Sequence, residues 1–303
     1  MAFLCAAAAA QPAVASPPLE TALRSVVSVL PDWPPDARRT EEPEASGVVL
    51  LDGTTVVTAL HVVDRATSVR VRTADGDILK AEIAGRDKAT DIAVLKLPSA
   101  LAPMAVGETA PAIGDRVCAI GNAFGLGLSV TCGVVSAVNR AGTGFNGIED
   151  FVQTDAAVNP GASGGALVDG EGKFVGLLSA IFTKASDANI GVNFAVSSAL
   201  TLRVAGELKS GGGISWPASG LRMEPWPRKG ETGRAGARVV AVAPGFPGEA
   251  AGFAAGDIIV SAAGRRVAAP GDLISAFALA TSGTAIEVEI LRSGEARTLT
   301  LKP

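Results

Sequence analysis

Asn-Pro-Gly-Ala-Ser-Gly-Gly occupies residues 159–165, and this short stretch decides how the rest of the chain is interpreted. Its serine, Ser163, stands among three glycines within five residues. Glycine lets the backbone approach a substrate closely and adopt turns that other residues resist. Such a turn can present a hydroxyl beside backbone N–H donors, which is the arrangement that acyl transfer needs. Taken alone, the stretch is more typical of a Gly-Ser surface turn between two strands.

A catalytic serine requires a base, and His61 is the only histidine of the chain. Imidazole, with an ordinary pKa of about 6.5, is the best general base for a hydroxyl at neutral pH. A lone histidine is as often structural, but this one follows a predicted strand, where a side chain can reach a cleft. The carboxylate that orients the imidazole is left open by spacing, since triad partners meet only in space. The candidates are Asp64, Asp87, Asp91 and Asp155, of which Asp91 is the most attractive because it precedes an apolar run.

The composition favours a β-rich protein of about two domains. The 303 residues are 48% hydrophobic and 18% charged, and 36 glycines with 18 prolines indicate many turns. The net charge of -4 gives no sign of a nucleic-acid surface. The histidine and three cysteines lack metal-ligand spacing, so no metal site is predicted. Cys118 and Cys132 lie near the two ends of a predicted hairpin, a spacing compatible both with a disulfide and with two buried thiols.

Residues 1–15 are small and apolar and end in an A-x-A cleavage pattern, which predicts a secretory leader although a basic start is missing. The predicted location is therefore periplasmic or secreted. This run is too short to cross a bilayer, and no later run of about 18 apolar residues follows, so no integral membrane span is predicted.

Short alternating segments separated by turn residues begin near residue 46 and predict an antiparallel barrel or sandwich. A helix is predicted over 196–209, and the glycine-rich residues 210–219 after it are typical of a linker. The linker between the two domains is assigned to 206–219, so it includes the end of this helix. Residues 220–303 form a predicted small mixed domain. The predicted strands of the first part are 47–51, 55–58, 68–72, 78–83, 92–97, 116–120, 128–137 and 174–181.

Five segments in the order His, Asp, Ser resemble the HtrA/DegP family of trypsin-like serine proteases. They are Thr58–Val63, Thr90–Lys96, Ala119–Gly127, Gln153–Ala157 and Asn159–Gly165. The resemblance implies a mainly β fold, a chymotrypsin-like double six-stranded antiparallel β-barrel over 19–205, with halves at 19–112 and 113–205. It also implies that the enzyme needs no cofactor and forms a homotrimer.

The resemblance implies a mechanism and chooses among the carboxylates. Asp91 becomes the triad partner that orients His61, and His61 takes the proton of Ser163. The backbone N–H groups of Gly161 and Ser163 become the oxyanion hole. Small or apolar residues in the expected pocket walls, 178–180 and 193–195, predict cleavage after small aliphatic residues.

Two positions depart from the family pattern. Ala162 and Ala166 stand where the family usually has asparagine and proline. They leave an alternative in which the chain is a weak or inactive protease-fold protein that binds peptides or acts as a chaperone.

Residues 220–303 resemble a PDZ domain through Ala-Gly-Phe-x-x-Gly-Asp-Ile-Ile at 251–259. PDZ domains add a peptide as an extra strand and hold its C-terminal carboxylate on backbone N–H groups. The matching donors are Gly220 and Leu221, with Ser219 where the family has an apolar residue. The combined resemblance implies a serine endopeptidase for unfolded or misfolded proteins, regulated by C-terminal peptides at its PDZ domain.

Overall fold

The structure, a computed structural model, describes residues 17–34, 44–181, 190–211, 213–280 and 284–302. Two closed six-stranded antiparallel barrels are followed by a third unit, a sheet with two helices, so the predicted fold class is confirmed. The predicted leader over 1–15 lies outside the described residues. No helix in the described ranges is long and apolar enough to cross a membrane.

The first barrel follows helix α1 (Pro17–Arg24) and has the strand order β1-β2-β3-β6-β5-β4. Every residue of β2 and β3 is buried, because one strand face fills the barrel and the other packs on the second barrel. Val49 thus belongs to the first barrel's interior, whereas Val48 and Leu50 join a core shared with Ile120 and Phe151. The strands are β1 (Val26–Asp32), β2 (Ala45–Leu50), β3 (Thr55–Ala59), β4 (Ser68–Arg72), β5 (Ile78–Asp87) and β6 (Ile92–Lys96).

The second barrel has the order β10-β11-β12-β9-β8-β7, with β7 pairing β10 to close it. Helix α2 (Ser198–Lys209) follows and returns to the first barrel: a Cβ on Gly85 would lie 2.8 Å from the Leu208 Cβ. Ser197 caps the start of the helix, and its hydroxyl accepts the N–H of Leu200. The strands are β7 (Arg116–Gly121), β8 (Ser129–Arg140), β9 (Phe151–Thr154), β10 (Ala166–Asp169), β11 (Phe174–Ile181) and β12 (Asn193–Ser197).

Cys118 and Cys132 form a disulfide, with an S–S distance of 2.10 Å. The two residues are direct partners in the register of β7 and β8. Of the two alternatives that the sequence left open, the structure therefore has the cross-strand bridge.

The sheet of the third unit has the strand order β13-β14-β15-β17-β18, and the short strand β16 pairs with β15. Its core collects apolar residues from the sheet and the longer helix, including Val239, Ile259 and Phe277. The assigned domain limits of 19–205, 206–219 and 220–303 stay predictions. The elements are β13 (Leu221–Trp226), β14 (Gly236–Val242), α3 (Pro247–Ala250), β15 (Ile258–Ala262), β16 (Arg265–Arg266), α4 (Pro270–Leu279), β17 (Ile286–Arg292) and β18 (Glu295–Leu301).

Asp150 joins the third unit to the second barrel. Its side chain is 2% exposed and its Oδ1 accepts hydrogen bonds from Arg265 Nη1 at 2.8 Å and Ser275 Oγ at 3.2 Å. Its Oδ2 accepts a third from Ser197 Oγ. A buried carboxylate with three donors, two of them from the third unit, fixes where that unit docks.

Within the third unit, Arg292 and Asp257 form a buried pair that offers a stability test. Nε and Nη2 of Arg292 each donate to one oxygen of Asp257, whose side chain is 1% exposed, and these hydrogen bonds raise the pKa of Arg292. Arg292→Met should lower the free energy of unfolding by about 3 kcal/mol, because a buried carboxylate loses its cation. Urea unfolding of the full chain, followed by tryptophan fluorescence, measures this loss.

The matched control for that variant is Arg297→Met. Arg297 pairs with Glu295 at 3.3 Å on β18, with both side chains at least half exposed. Removing an exposed pair of this kind should change the free energy of unfolding by less than about 1 kcal/mol. Equal losses in the two variants would contradict the assigned role of Arg292.

Candidate active site

His61 and Asp91 meet because β3 and β6 are neighbouring strands. Ala59 at the end of β3 pairs with Ile92 at the start of β6, so the turn after β3 lies beside the residue before β6. His61 donates its backbone N–H to Asp91 Oδ1 at 2.9 Å, and its ring Nδ1 lies 2.6 Å from Asp91 Oδ2. The carboxylate therefore favours the tautomer that carries a proton on Nδ1, with Nε2 directed away from Asp91.

The other three candidate carboxylates differ from Asp91 in their exposure or in the groups that they bind. Asp64 is exposed, Asp87 binds Thr90, and Asp155 Oδ1 accepts the N–H of Val134 at 2.7 Å. The His61 side chain is 44% exposed, so a substrate can reach the ring, whereas that of Asp91 is 19% exposed.

Ser163 lies in the loop between β9 and β10 of the second barrel, and this loop is pressed against the strand that leads to His61. A Cβ on Gly164 would lie 2.3 Å from the Ser46 carbonyl oxygen and 2.9 Å from the backbone nitrogen of Ala59. Ala59 is the last residue of β3 and comes two positions before His61. Only glycine permits this approach, since any side chain would separate the two barrels.

Ser46, a fully buried residue of β2, holds the serine loop from the first barrel. Its N–H donates to the Ser163 carbonyl at 3.0 Å, and its hydroxyl donates to the Gly161 carbonyl at 2.8 Å. Within the described part of the chain, the N–H groups of Gly161 and Ser163 donate to no acceptor. Ser46 thus holds the carbonyls of both residues whose N–H groups are the expected oxyanion donors.

Sequence reasoning missed Ser46. A serine at the start of a predicted strand carries no local signal of such a role, because both of its acceptors are more than 110 residues away along the chain.

The expected pocket walls lie next to this loop. Leu178 accepts the N–H of Gly164 at 2.7 Å and pairs with Ala195 of β12. The fully buried Asn193 donates from Nδ2 to the Ala156 carbonyl at 2.8 Å, which ties β12 to the segment that precedes the serine loop.

A cleft of about 230 Å³ lies between β13 and α4 of the third unit, at the predicted peptide groove, and is lined also by Ile148 of the second barrel. Gly220 has a φ of +73° there, and a Cβ on it would lie 2.2 Å from the Phe246 Cβ. The N–H of Leu221, a predicted carboxylate donor, is directed at Ser219 Oγ at 3.3 Å. The residues that line the cleft are Ile148, Pro217, Ala218, Ser219, Gly220, Leu221, Met223, Leu273, Ile274, Phe277 and Ala278.

Family models match both parts of the chain. The model described as "Trypsin-like peptidase domain" matches residues 45–177, and the model described as "PDZ domain" matches residues 188–302.

Curated relatives match across most of the chain. The "Periplasmic serine endoprotease DegP" of Salmonella typhimurium is 35% identical over 255 residues, covering 82% of this chain and 54% of that protein. The "Periplasmic pH-dependent serine endoprotease DegQ" of Escherichia coli is 34% identical over 250 residues, covering 79% and 54%. The chain therefore spans about half the length of these relatives.

Among solved structures, "HtrA-type protease AlgW with tripeptide" is 31% identical with a TM-score of 0.73, covering 94% of this chain and 95% of that one. "Crystal structure of the serine endoprotease from Yersinia pestis" is 32% identical with a TM-score of 0.63, covering 94% and 95%.

Proposed function

We propose, since this chain belongs to the HtrA/DegP family of trypsin-like serine proteases, that it is a serine endopeptidase with His61, Asp91 and Ser163 as its triad. The observation that carries the proposal is the double contact of Asp91 with His61, to the backbone N–H and to ring Nδ1. This contact lies at the end of the strand against which the Ser163 loop packs.

The proposed reaction is acyl transfer. His61 Nε2 takes the Ser163 proton as Oγ attacks the peptide carbonyl, and Asp91 stabilises the imidazolium while remaining ionised. The N–H groups of Gly161 and Ser163 bind the oxyanion, and loss of one such donor raises the barrier by about 3–4 kcal/mol. His61 then protonates the leaving amine, and a water molecule attacks the acyl-enzyme with His61 again as base.

The proposed substrates are unfolded or misfolded polypeptides in the periplasm or outside the cell, cleaved after small aliphatic residues. The names of the relatives support the compartment and the endoprotease activity. C-terminal peptides are the proposed ligands of the cleft at Gly220 and Leu221, and Ser219 Oγ competes with their carboxylate for the Leu221 N–H. A homotrimer is the proposed assembly, on the family resemblance alone.

The second candidate is a protease-fold protein that binds peptides without cleaving them, and Ala162 and Ala166 motivate it. Backbone contacts favour the enzyme instead. The N–H of Ala162 donates to the Asn159 carbonyl, and the Ala162 carbonyl accepts the N–H of Gly165. The loop is thus closed without the side chain that asparagine would add.

A fluorophosphonate probe tests the proposal, because it reacts with a serine only where a base and an oxyanion hole activate the hydroxyl. We expect one adduct, located at Ser163 by mass spectrometry of the digested protein. The adduct should be absent in His61→Ala, which keeps the serine but removes the base. A folded wild-type chain that gives no adduct would favour the non-catalytic candidate.

A further inference from the structure

The turn that carries Asp91 is anchored by a residue of the predicted linker. Asp87, only 8% exposed, accepts hydrogen bonds at Oδ2 from the N–H and the hydroxyl of Thr90, at 3.0 and 2.6 Å. Its Oδ1 accepts the indole N–H of Trp216 at 3.1 Å. Trp216 lies in the stretch between helix α2 and strand β13, 129 residues further along the chain.

Asp91 depends on that turn for its position. It has a φ of +59°, in the left-handed region that residues other than glycine adopt uncommonly. The preceding residue, Thr90, is fully buried, and its carbonyl also accepts Asn146 Nδ2 at 3.1 Å. Any shift of Thr90 moves the Asp91 carboxylate relative to His61.

Trp216 is itself held by a second contact. The guanidinium carbon of Arg203, on α2, lies 5.0 Å from the centre of the Trp216 ring. Arg203 Nη1 also donates to the Ala280 carbonyl of the third unit at 3.1 Å. The indole is therefore fixed between a cation and a carboxylate, with the third unit as a further attachment.

We infer that Trp216 is a positioning residue for the triad: its N–H orients Asp87, which holds Thr90 and thereby aligns Asp91 with His61. The inference rests on the proposed function of this site. A hydrogen bond to a buried carboxylate is charge-assisted, and the indole nitrogen can only donate. The linker between the protease and PDZ units consequently sets the alignment of the catalytic base.

The kinetic test is Trp216→Phe, which keeps an aromatic ring beside Arg203 and removes the N–H donor together with the five-membered part of the indole. We expect kcat to fall about fivefold with KM within a factor of two, because small misplacements of a catalytic group affect rate more than binding. The matched control is Trp226→Phe in β13, where Arg238 lies 5.3 Å from the ring in the same manner. Its kcat and KM should equal the wild-type values.

A double variant tests the route through Asp87. Asp87→Ala removes both carboxylate oxygens, so neither the Trp216 N–H nor Thr90 keeps its acceptor. If Trp216 acts through Asp87, Trp216→Phe should change kcat by less than a factor of two in the Asp87→Ala background. A fivefold loss in both backgrounds would overturn the route, and so would a Trp216→Phe enzyme identical to Trp226→Phe.

A spectroscopic test separates this inference from the proposed activity. His61 is the only histidine, so NMR of the chain labelled with [13C]histidine follows its titration without assignment. In a Ser163→Ala background, Trp216→Phe should lower the midpoint by about 0.5 pH unit, because a less aligned carboxylate stabilises the imidazolium less. An unchanged midpoint would overturn the inference even if the protease is active. If the wild-type chain cleaves no substrate but Trp216→Phe still lowers the His61 midpoint, only the proposed activity is rejected.

Discussion

Ser163→Ala should reduce the hydrolysis of unfolded casein by about 10⁶-fold, to the limit of detection. The loss is this large because attack requires the hydroxyl that His61 deprotonates, and an alanine methyl leaves water as the only nucleophile. The measurement is release of peptides from casein, together with hydrolysis of a peptide library with varied residues before the scissile bond. The wild-type profile in that library should favour alanine and valine, and a preference for lysine or arginine would contradict the proposed pocket.

The control for the serine variant is Ser210→Ala. Ser210 is exposed at the end of α2, where its hydroxyl donates to the Glu207 carbonyl at 2.7 Å. This variant should hydrolyse casein at the wild-type rate. Persistent hydrolysis by purified Ser163→Ala, with kinetics like those of Ser210→Ala, would remove Ser163 from the mechanism.

Asp91→Asn should lower kcat by about 10⁴-fold, the second largest effect. The substitution keeps the size of the side chain, but its neutral amide cannot stabilise the imidazolium and no longer selects the tautomer with the proton on Nδ1. Nearly all of the loss should be in kcat, since Asp91 acts through its contacts with His61 and not through a contact with substrate. Single-turnover kinetics with an ester substrate would isolate the acylation step.

Asp64→Asn is the matched control, because it removes an exposed carboxylate three positions after His61. We expect its kcat to lie within a factor of two of wild type, which separates the orienting contact from the general effect of negative charge. A loss of equal size in both variants, or none in Asp91→Asn, would show that another group orients the ring.

The strands that could be predicted either alternate along the chain or are bounded by a turn signal such as Asp52-Gly53. Strand 68–72 has alternating exposed and buried residues, and its predicted bounds equal those of β4. Strands β9 and β10 were not predicted, because both are four residues long and covered on both faces, so no period-two pattern marks them. Strand β8 continues to Arg140, three residues beyond its predicted end, with bulges that interrupt its pairing with β9.

The candidate site likewise contains residues that the sequence could identify and contacts that it could not. The family resemblance selected Asp91 from four carboxylates, and the structure brings that carboxylate to His61. The contacts of Ser46 with the serine loop and of Trp216 with Asp87 join residues that are more than 110 positions apart. Neither residue belongs to a motif or a periodic pattern, so pairings of this kind emerge only from the folded chain.

Ser46 has one further consequence. Its hydroxyl and N–H, from the first barrel, hold two carbonyls of the Ser163 loop, which belongs to the second barrel. In the proposed mechanism the base comes from the first barrel and the nucleophile from the second, so hydrolysis requires both barrels to be joined. A partly synthesised chain that lacks the second barrel would then be inert towards neighbouring proteins.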